Sequence, residues 1–222
     1  MTVDTTILKN DSTAEKIKIA ARRVFTSKGF TATRTRDIAE EAGFNIALLN
    51  YYFRSKQKLF DIIMLENMQL FLHGIKNIIN DPDTSLQSKL EILIGHYIDM
   101  LVLNLDLPFF VLNEIKTNPQ QFAEKVGMTD ILKDSIIAEQ WKDFIIQNKI
   151  NNINPFHYFI NIISMIIFPF IANPLIKNRL HIDNESFNKL MQERKKLIPI
   201  WIKSMLIAQN NIELPNTMSN KL

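Results

Sequence analysis

The sequence predicts an all-α fold. In 222 residues there are only five glycines and eight prolines, too few to turn the many tight corners of an all-β chain. Isoleucine, leucine, lysine, glutamate and glutamine recur instead at helical spacings. Hydrophobic residues at 46% and charged residues at 22% give the balance of a globular protein, well away from disorder. The length accommodates one small domain and one medium domain.

Ser12-Thr13-Ala14-Glu15 has the pattern of a capping box, which predicts a first helix starting there. Ile17, Ala20, Ala21, Val24 and Phe25 follow as one apolar face, and Gly29 is placed to end the helix. A short second helix is expected over 35–42, with Ile38, Ala39 and Ala42 inward. Gly43 makes a turn and Asn45 can cap a third helix that packs through Leu49 and Phe53. Two short helices joined by a glycine-containing turn have the form of a helix-turn-helix. Ser55 can cap a long fourth helix carrying Phe60, Ile63, Met64, Leu70, Phe71, Ile75 and Ile78, and the domain boundary is expected inside it. Further helices are expected near 85–103, 108–117, 129–148, 155–172 and 184–210. Breaks fall at 106–108, Asn118-Pro119, 151–155 and Asn173-Pro174, and Pro199 should kink or break the last helix. The expectation is about nine helices: an N-terminal three-helix helix-turn-helix domain over 12–58 and a helical domain over 59–222.

Charge divides unevenly along the chain. Residues 1–60 hold 11 Lys/Arg against 6 Asp/Glu, or +5, and 61–222 hold 15 against 17, or −2, which together give the net +3. A basic N-terminal part suits a polyanionic partner, although a basic face can simply be solvated. With no cysteine, disulfides and thiolate sites are excluded. His73, His96, His157 and His181 form no metal-ligand spacing, and neither a phosphate loop nor a nucleophile elbow occurs. No metal site, cofactor or enzymatic activity is therefore expected. The first ten residues lack a signal-peptide core. The apolar stretch 156–176 is interrupted by Asn161, Ser164, Pro169, Asn173 and Pro174, so a cytoplasmic protein is expected rather than a membrane one.

The segment 29–56 resembles the DNA-binding region of the tetracycline-repressor (TetR) family. It carries Gly29-Phe30 after the first helix, Thr35-Arg36-Asp37-Ile38-Ala39 opening the second and the turn glycine Gly43. Leu49-Asn50-Tyr51-Tyr52-Phe53 and Ser55-Lys56 complete the pattern. The resemblance covers about residues 12–60 and is looser beyond. It implies a homodimeric transcriptional regulator, in the usual form a repressor released from a palindromic operator by a small molecule. It also implies backbone or base contacts at Thr35 and Arg36 and phosphate contacts at Lys56 and at Tyr51 or Tyr52, with Tyr52 favoured. On physical grounds Asn45, Ile46, Ala47 and Asn50 would face the groove. The chain has Ile46-Ala47 where the family often has a basic residue and glycine, Leu48 where it often has threonine, and Asn50 where it usually has tyrosine. Isoleucine against thymine methyls and asparagine against adenine would suit an A·T-rich site.

The same resemblance implies a dimer built from helices near 156–172 and 185–209, with Phe159, Ile163, Ile167 and Ile202 at the interface. It implies an effector pocket in the middle helices, where His96, Tyr97, Met100, Phe109, Phe110, Phe122, Trp141 and Phe144 cluster. Their composition suits a largely apolar effector. The alternative from a different class is a helical interaction module whose helix-turn-helix no longer binds DNA. The three departures in the third helix are what favour it.

Overall fold

The computed structural model describes residues 5–127, 135–148, 154 and 156–208, with side chains described from 13 to 206 within those ranges. Eleven helices and no strand occur among the described residues. They are α1 (Thr5–Ala32), α2 (Thr35–Ala42), α3 (Ile46–Phe53), α4 (Lys56–Ile79), α5 (Leu86–Leu103) and α6 (Leu107–Thr117). The remainder are α7 (Pro119–Val126), α8 (Ile136–Gln147), α9 (Phe156–Ile171), α10 (Asn173–Leu180) and α11 (Asn184–Ala208). No single described helix is long and apolar enough to cross a membrane, and α9 and α10 are bent 63° from one another.

Two helices were not expected, and both carry a proline in the first turn. Pro119 is the first residue of α7, whose Phe122 N–H donates to the Asn118 carbonyl (2.9 Å), and Pro174 lies in the first turn of α10. Asn-Pro ends one helix and starts the next, because proline lacks an N–H that a first turn would leave unpaired and its φ is already helical. The expected capping box at Ser12 is also corrected. Backbone is helical from Thr5, so the N–H groups that such a box would satisfy already have helical partners. Of the helix expected at 129–148, residues 136–147 form α8 under a Ser135 cap; 128–134 lie outside the described residues.

Proline within a helix is accommodated by a neighbour. Pro169 in α9 has no N–H for the carbonyl of Met165, four residues back. The Arg194 guanidinium of α11 donates to that oxygen instead (2.7 Å), and its carbon lies 5.2 Å from the centre of the Trp201 ring. Burial pushes the guanidinium below its usual value. Pro199 neither breaks nor ends α11, which continues to Ala208.

The chain forms two compact units. One runs through Leu70 and takes up Leu103–Val126; the other holds Phe71–Val102 and the chain from Gly127 onward. Within α4 the division between the units falls after Leu70, and α6 and α7 join the N-terminal unit. Aromatic packing is the reason. Phe60 meets Phe25 (5.2 Å), Phe30 (4.6 Å) and Phe110 (6.4 Å), and Phe110 meets Phe122 (6.1 Å). The core of this unit adds Ile17, Ala20, Ala21, Ile38, Leu49, Phe53 and Ile63, all buried. The second unit is centred on Ile94, Ile98, Leu101, Ile166, Phe170, Phe187, Ile198 and Ile202. In it the fully buried Lys89 of α5 donates to Gln140 of α8 (2.9 Å), and Gln140 donates to the Thr84 carbonyl (3.0 Å).

Candidate nucleic-acid interface and ligand cavity

The corner between α1 and α2 is held by several hydrogen bonds. Gly29 adopts φ 74°, where a side chain would be strained, and its carbonyl accepts from the hydroxyl of the buried Thr33 (2.6 Å). The Phe30 N–H donates to the Asp106 carboxylate at the start of α6 (2.7 Å). Lys56 Nζ donates to the carbonyls of Phe30 and Thr33 (both 2.8 Å) and lies 4.2 Å from the centre of the Phe30 ring. Lys56 is thus half-buried and bonded within the fold; the family resemblance implied a phosphate contact for it. Asp37 fixes the start of α2. Its carboxylate accepts the Arg34 N–H (2.8 Å), the main cause of a value below the usual carboxylate range, and it pairs with Lys28 (3.3 Å).

The α2–α3 turn passes through Gly43 in the left-handed region (φ 70°), and Asn45 caps α3 by accepting the Leu48 N–H (2.8 Å). The Asn45 oxygen, expected to face the groove, is therefore occupied by the cap. Burial of Leu49 and Phe53 orients α3. The opposite face leaves Ile46 (38% exposed), Ala47, Asn50 and Tyr51 (73% exposed) outward together, while Leu48 and Tyr52 are half-buried. Of the tyrosine pair it is Tyr51 that stands free of the fold, and the two rings meet edge to face at 5.2 Å. Thr35 is half-buried in the first turn of α2 and Arg36 is exposed, 3.9 Å from the Glu40 carboxylate. Sequence reasoning passed over Arg34 and Arg54, two exposed cations flanking α2 and α3. Arg54 closes α3 with φ 62°. Only the charge excess of residues 1–60 signalled them. The face can offer guanidinium donors, an amide and a phenol around a small apolar patch, with no acidic residue in α3.

The residues expected to form a pocket do not all come together. Phe110 and Phe122 are core residues of the N-terminal unit, and Phe109 is exposed on α6. His96 is exposed on α5. Met100 is half-buried, and Tyr97 packs on Phe71 (4.9 Å), where burial pushes its phenol up to about 12. Trp141 and Phe144, stacked at 6.1 Å, do line a cavity of about 330 Å³ in the second unit. Its other walls come from Leu86, Gln87 and Leu90 of α5, from Asn148 after α8, and from Pro199, Ile202, Lys203 and Leu206 of α11. The α5 and α11 contributions were missed because their apolar members follow the ordinary stripe of a core helix.

The expected dimer residues separate in the same way. On α9, Phe159 is 45% exposed and stacks on the exposed Phe156 (5.8 Å), Ile160 is exposed, and Ile163 and Ile167 are half-buried. On α11, Ile202 is 1% exposed and lines the cavity, so it is not a surface residue. Met191, Ile198, Ile202 and Leu206 form the inward stripe, which leaves Leu197, Ile200 and Trp201 as the outward apolar residues. Among the described residues no group of three histidine, cysteine or acidic side chains could hold a metal ion.

Comparison with known proteins accords with this arrangement. Residues 19–63 match the family described as bacterial regulatory proteins, tetR family. The probable HTH-type transcriptional regulator YttP of Bacillus subtilis strain 168 is 25% identical over 201 residues, covering 87% of this chain and 94% of YttP. The HTH-type transcriptional repressor NicS of Pseudomonas putida KT2440 is 32% identical over 92 residues, 40% of this chain and 43% of NicS. Among solved structures, the regulator FadR of Bacillus subtilis in complex with stearoyl-CoA has the same fold. The TM-score is 0.50 at 17% identity, over 82% of this chain and 96% of FadR. With a helix-turn-helix that matches the tetR family over residues 19–63 and an all-helical remainder, the chain is similar to the regulators of that family and is a DNA-binding transcriptional regulator.

Proposed function

We propose that the chain is a homodimeric, cytoplasmic repressor that reads a palindromic operator with residues 12–58 and releases it when a small, largely apolar effector enters the domain at 59–222. The observation that carries the DNA-reading part is the outward face of α3. Ile46, Ala47, Asn50 and Tyr51 project together from a helix whose other side is buried, and Arg34, Arg36 and Arg54 are exposed on and around α2 and α3. Thr35, Arg36 and Tyr51 meet phosphates or base edges, Asn50 and Ile46 read bases, and Tyr52 supports the ring of Tyr51. Asn45 and Lys56 serve the interface indirectly, by capping α3 and by holding the α1–α2 corner.

The dimer forms through the outward apolar faces of α9 and α11. Phe156, Phe159, Ile160, Ile200 and Trp201 leave more apolar surface open than isolated exposed residues would. A twofold pair of recognition helices requires an operator with matching symmetry. The cavity between α5, α8 and α11 receives the effector. Stearoyl-CoA in FadR and the repressor NicS support the ligand-bound and repressing senses of this reading. Helix α4 runs without a break through the boundary of the two units and is the element through which ligand and DNA influence one another.

Selection from random DNA duplexes tests the proposal. Enrichment of an imperfect palindrome with two half-sites is expected. No enrichment even at low salt would favour the helical interaction module.

A further inference from the structure

Building on the reading that the cavity between α5, α8 and α11 takes the effector, we infer that this effector is an amphipathic anion. Its apolar body lies against Trp141 and Phe144, and a carboxylate or phosphate head meets Lys203.

The walls divide sharply by chemistry. Leu86, Leu90, Trp141, Phe144, Pro199, Ile202 and Leu206 give carbon surface, and polar atoms come from Gln87, Asn148 and Lys203. Two of those three are already engaged on their own helices. The Gln87 amide donates to Glu91 (3.0 Å) and the Asn148 amide donates to the Phe144 carbonyl (2.8 Å). Lys203 is the one charged side chain in the described lining; it is exposed, and no described carboxylate pairs with it. Among the described residues no acidic side chain lines the cavity, although Glu91 lies one turn beyond Gln87 on α5. A cationic ligand would meet an ammonium with no compensating charge. A neutral apolar ligand would gain nothing from the exposed ammonium at the rim. An anion on an apolar chain satisfies both parts of the surface, and about 330 Å³ is the size of a small-molecule site.

Calorimetric titration of the full chain with decanoate, decyl phosphate, decanol and decylamine, all below micellar concentrations, separates the classes by head group on one common chain. The two anions should bind about tenfold more tightly than decanol or decylamine. Lys203→Met should bring the anions down to the level of decanol, Lys203→Arg should restore them, and Lys203→Glu should reverse the order in favour of decylamine. Because Lys203 is exposed, none of these variants should change the melting temperature appreciably. A decyl phosphate preference over decanoate identifies a phosphate ester, and the reverse preference a carboxylic acid; either supports the inference. Equal binding of decanol and decanoate by the native chain, anion binding indifferent to Lys203→Met, or no binding of either anion would overturn it. Operator affinity measured alongside distinguishes the two readings. Decanol that binds and releases DNA would keep the effector function and reject the anion. Decanoate that binds through Lys203 but leaves DNA bound would keep the anion site and reject the effector function.

Discussion

Replacing Lys56 with methionine should lower the melting temperature of the protein while leaving the salt dependence of DNA binding unchanged. Its ammonium bonds two carbonyls of the α1–α2 corner and caps the Phe30 ring, and half-burial limits the loss to roughly 1–2 kcal/mol. Arg36→Ala should behave in the opposite way. The side chain is exposed, so stability should hold, while the slope of log affinity against log salt falls by about one per half-site. Thermal melts and binding titrations at several salt concentrations check both. Adjacent residues of α3 should differ just as sharply. Leu49 is fully buried, and its replacement by alanine should cost about 2–5 kcal/mol of stability. Asn50 is exposed, and Asn50→Ala should keep the fold while relaxing preference at one base position by about 1–3 kcal/mol. Competition among single-base operator variants reads the second effect. A Lys56→Met variant with normal stability and a reduced salt slope would return that residue to the DNA.

At the scale of elements, the α9–α11 pair offers a double-mutant test. Arg194→Met removes the donor to the Met165 carbonyl and should destabilise the protein by about 1–3 kcal/mol. Pro169→Ala restores a backbone N–H to the same carbonyl, so the two changes together should cost less than their sum, with a coupling of about 0.5–3 kcal/mol by urea unfolding. Additive losses would show that the guanidinium does not replace the proline's missing donor. The contact could not be read from the sequence, because Arg194 and Pro169 are far apart in the chain and meet only once α9 and α11 are packed. Helices with an apolar stripe and a local cap were legible: Asn45 and Ser55 cap α3 and α4 as their positions suggest. Asn118-Pro119 and Asn173-Pro174 were read as breaks because the same dipeptide signals both an end and a start. In the site, the outward residues of α3 followed from the buried positions of Leu49 and Phe53. The destination of Lys56 did not, since a lysine at a helix start looks the same whether it faces an anion or a carbonyl. The cavity walls were obscured for a similar reason: nothing in the spacing of Ile202 tells a core position from a lining one.

For the molecule as a whole, the proposed twofold assembly would cover the outward apolar faces of α9 and α11. Phe159→Glu and Trp201→Glu alter residues 45% and 38% exposed in the single chain, so each should give a folded monomer by sedimentation, with weakened operator binding. A native chain that sediments as a stable monomer at micromolar concentration would remove the dimer from this account. If one chain couples ligand to DNA, the coupling must be reciprocal. The most direct measurement is a closed thermodynamic cycle, in which operator affinity is determined with and without a saturating cavity ligand and ligand affinity with and without operator. Ligand should weaken operator binding, and operator should weaken ligand binding, by the same factor of about 5- to 150-fold. Tight occupancy of the cavity with operator affinity unchanged, for every ligand that enters it, would show that the cavity is not coupled to DNA binding.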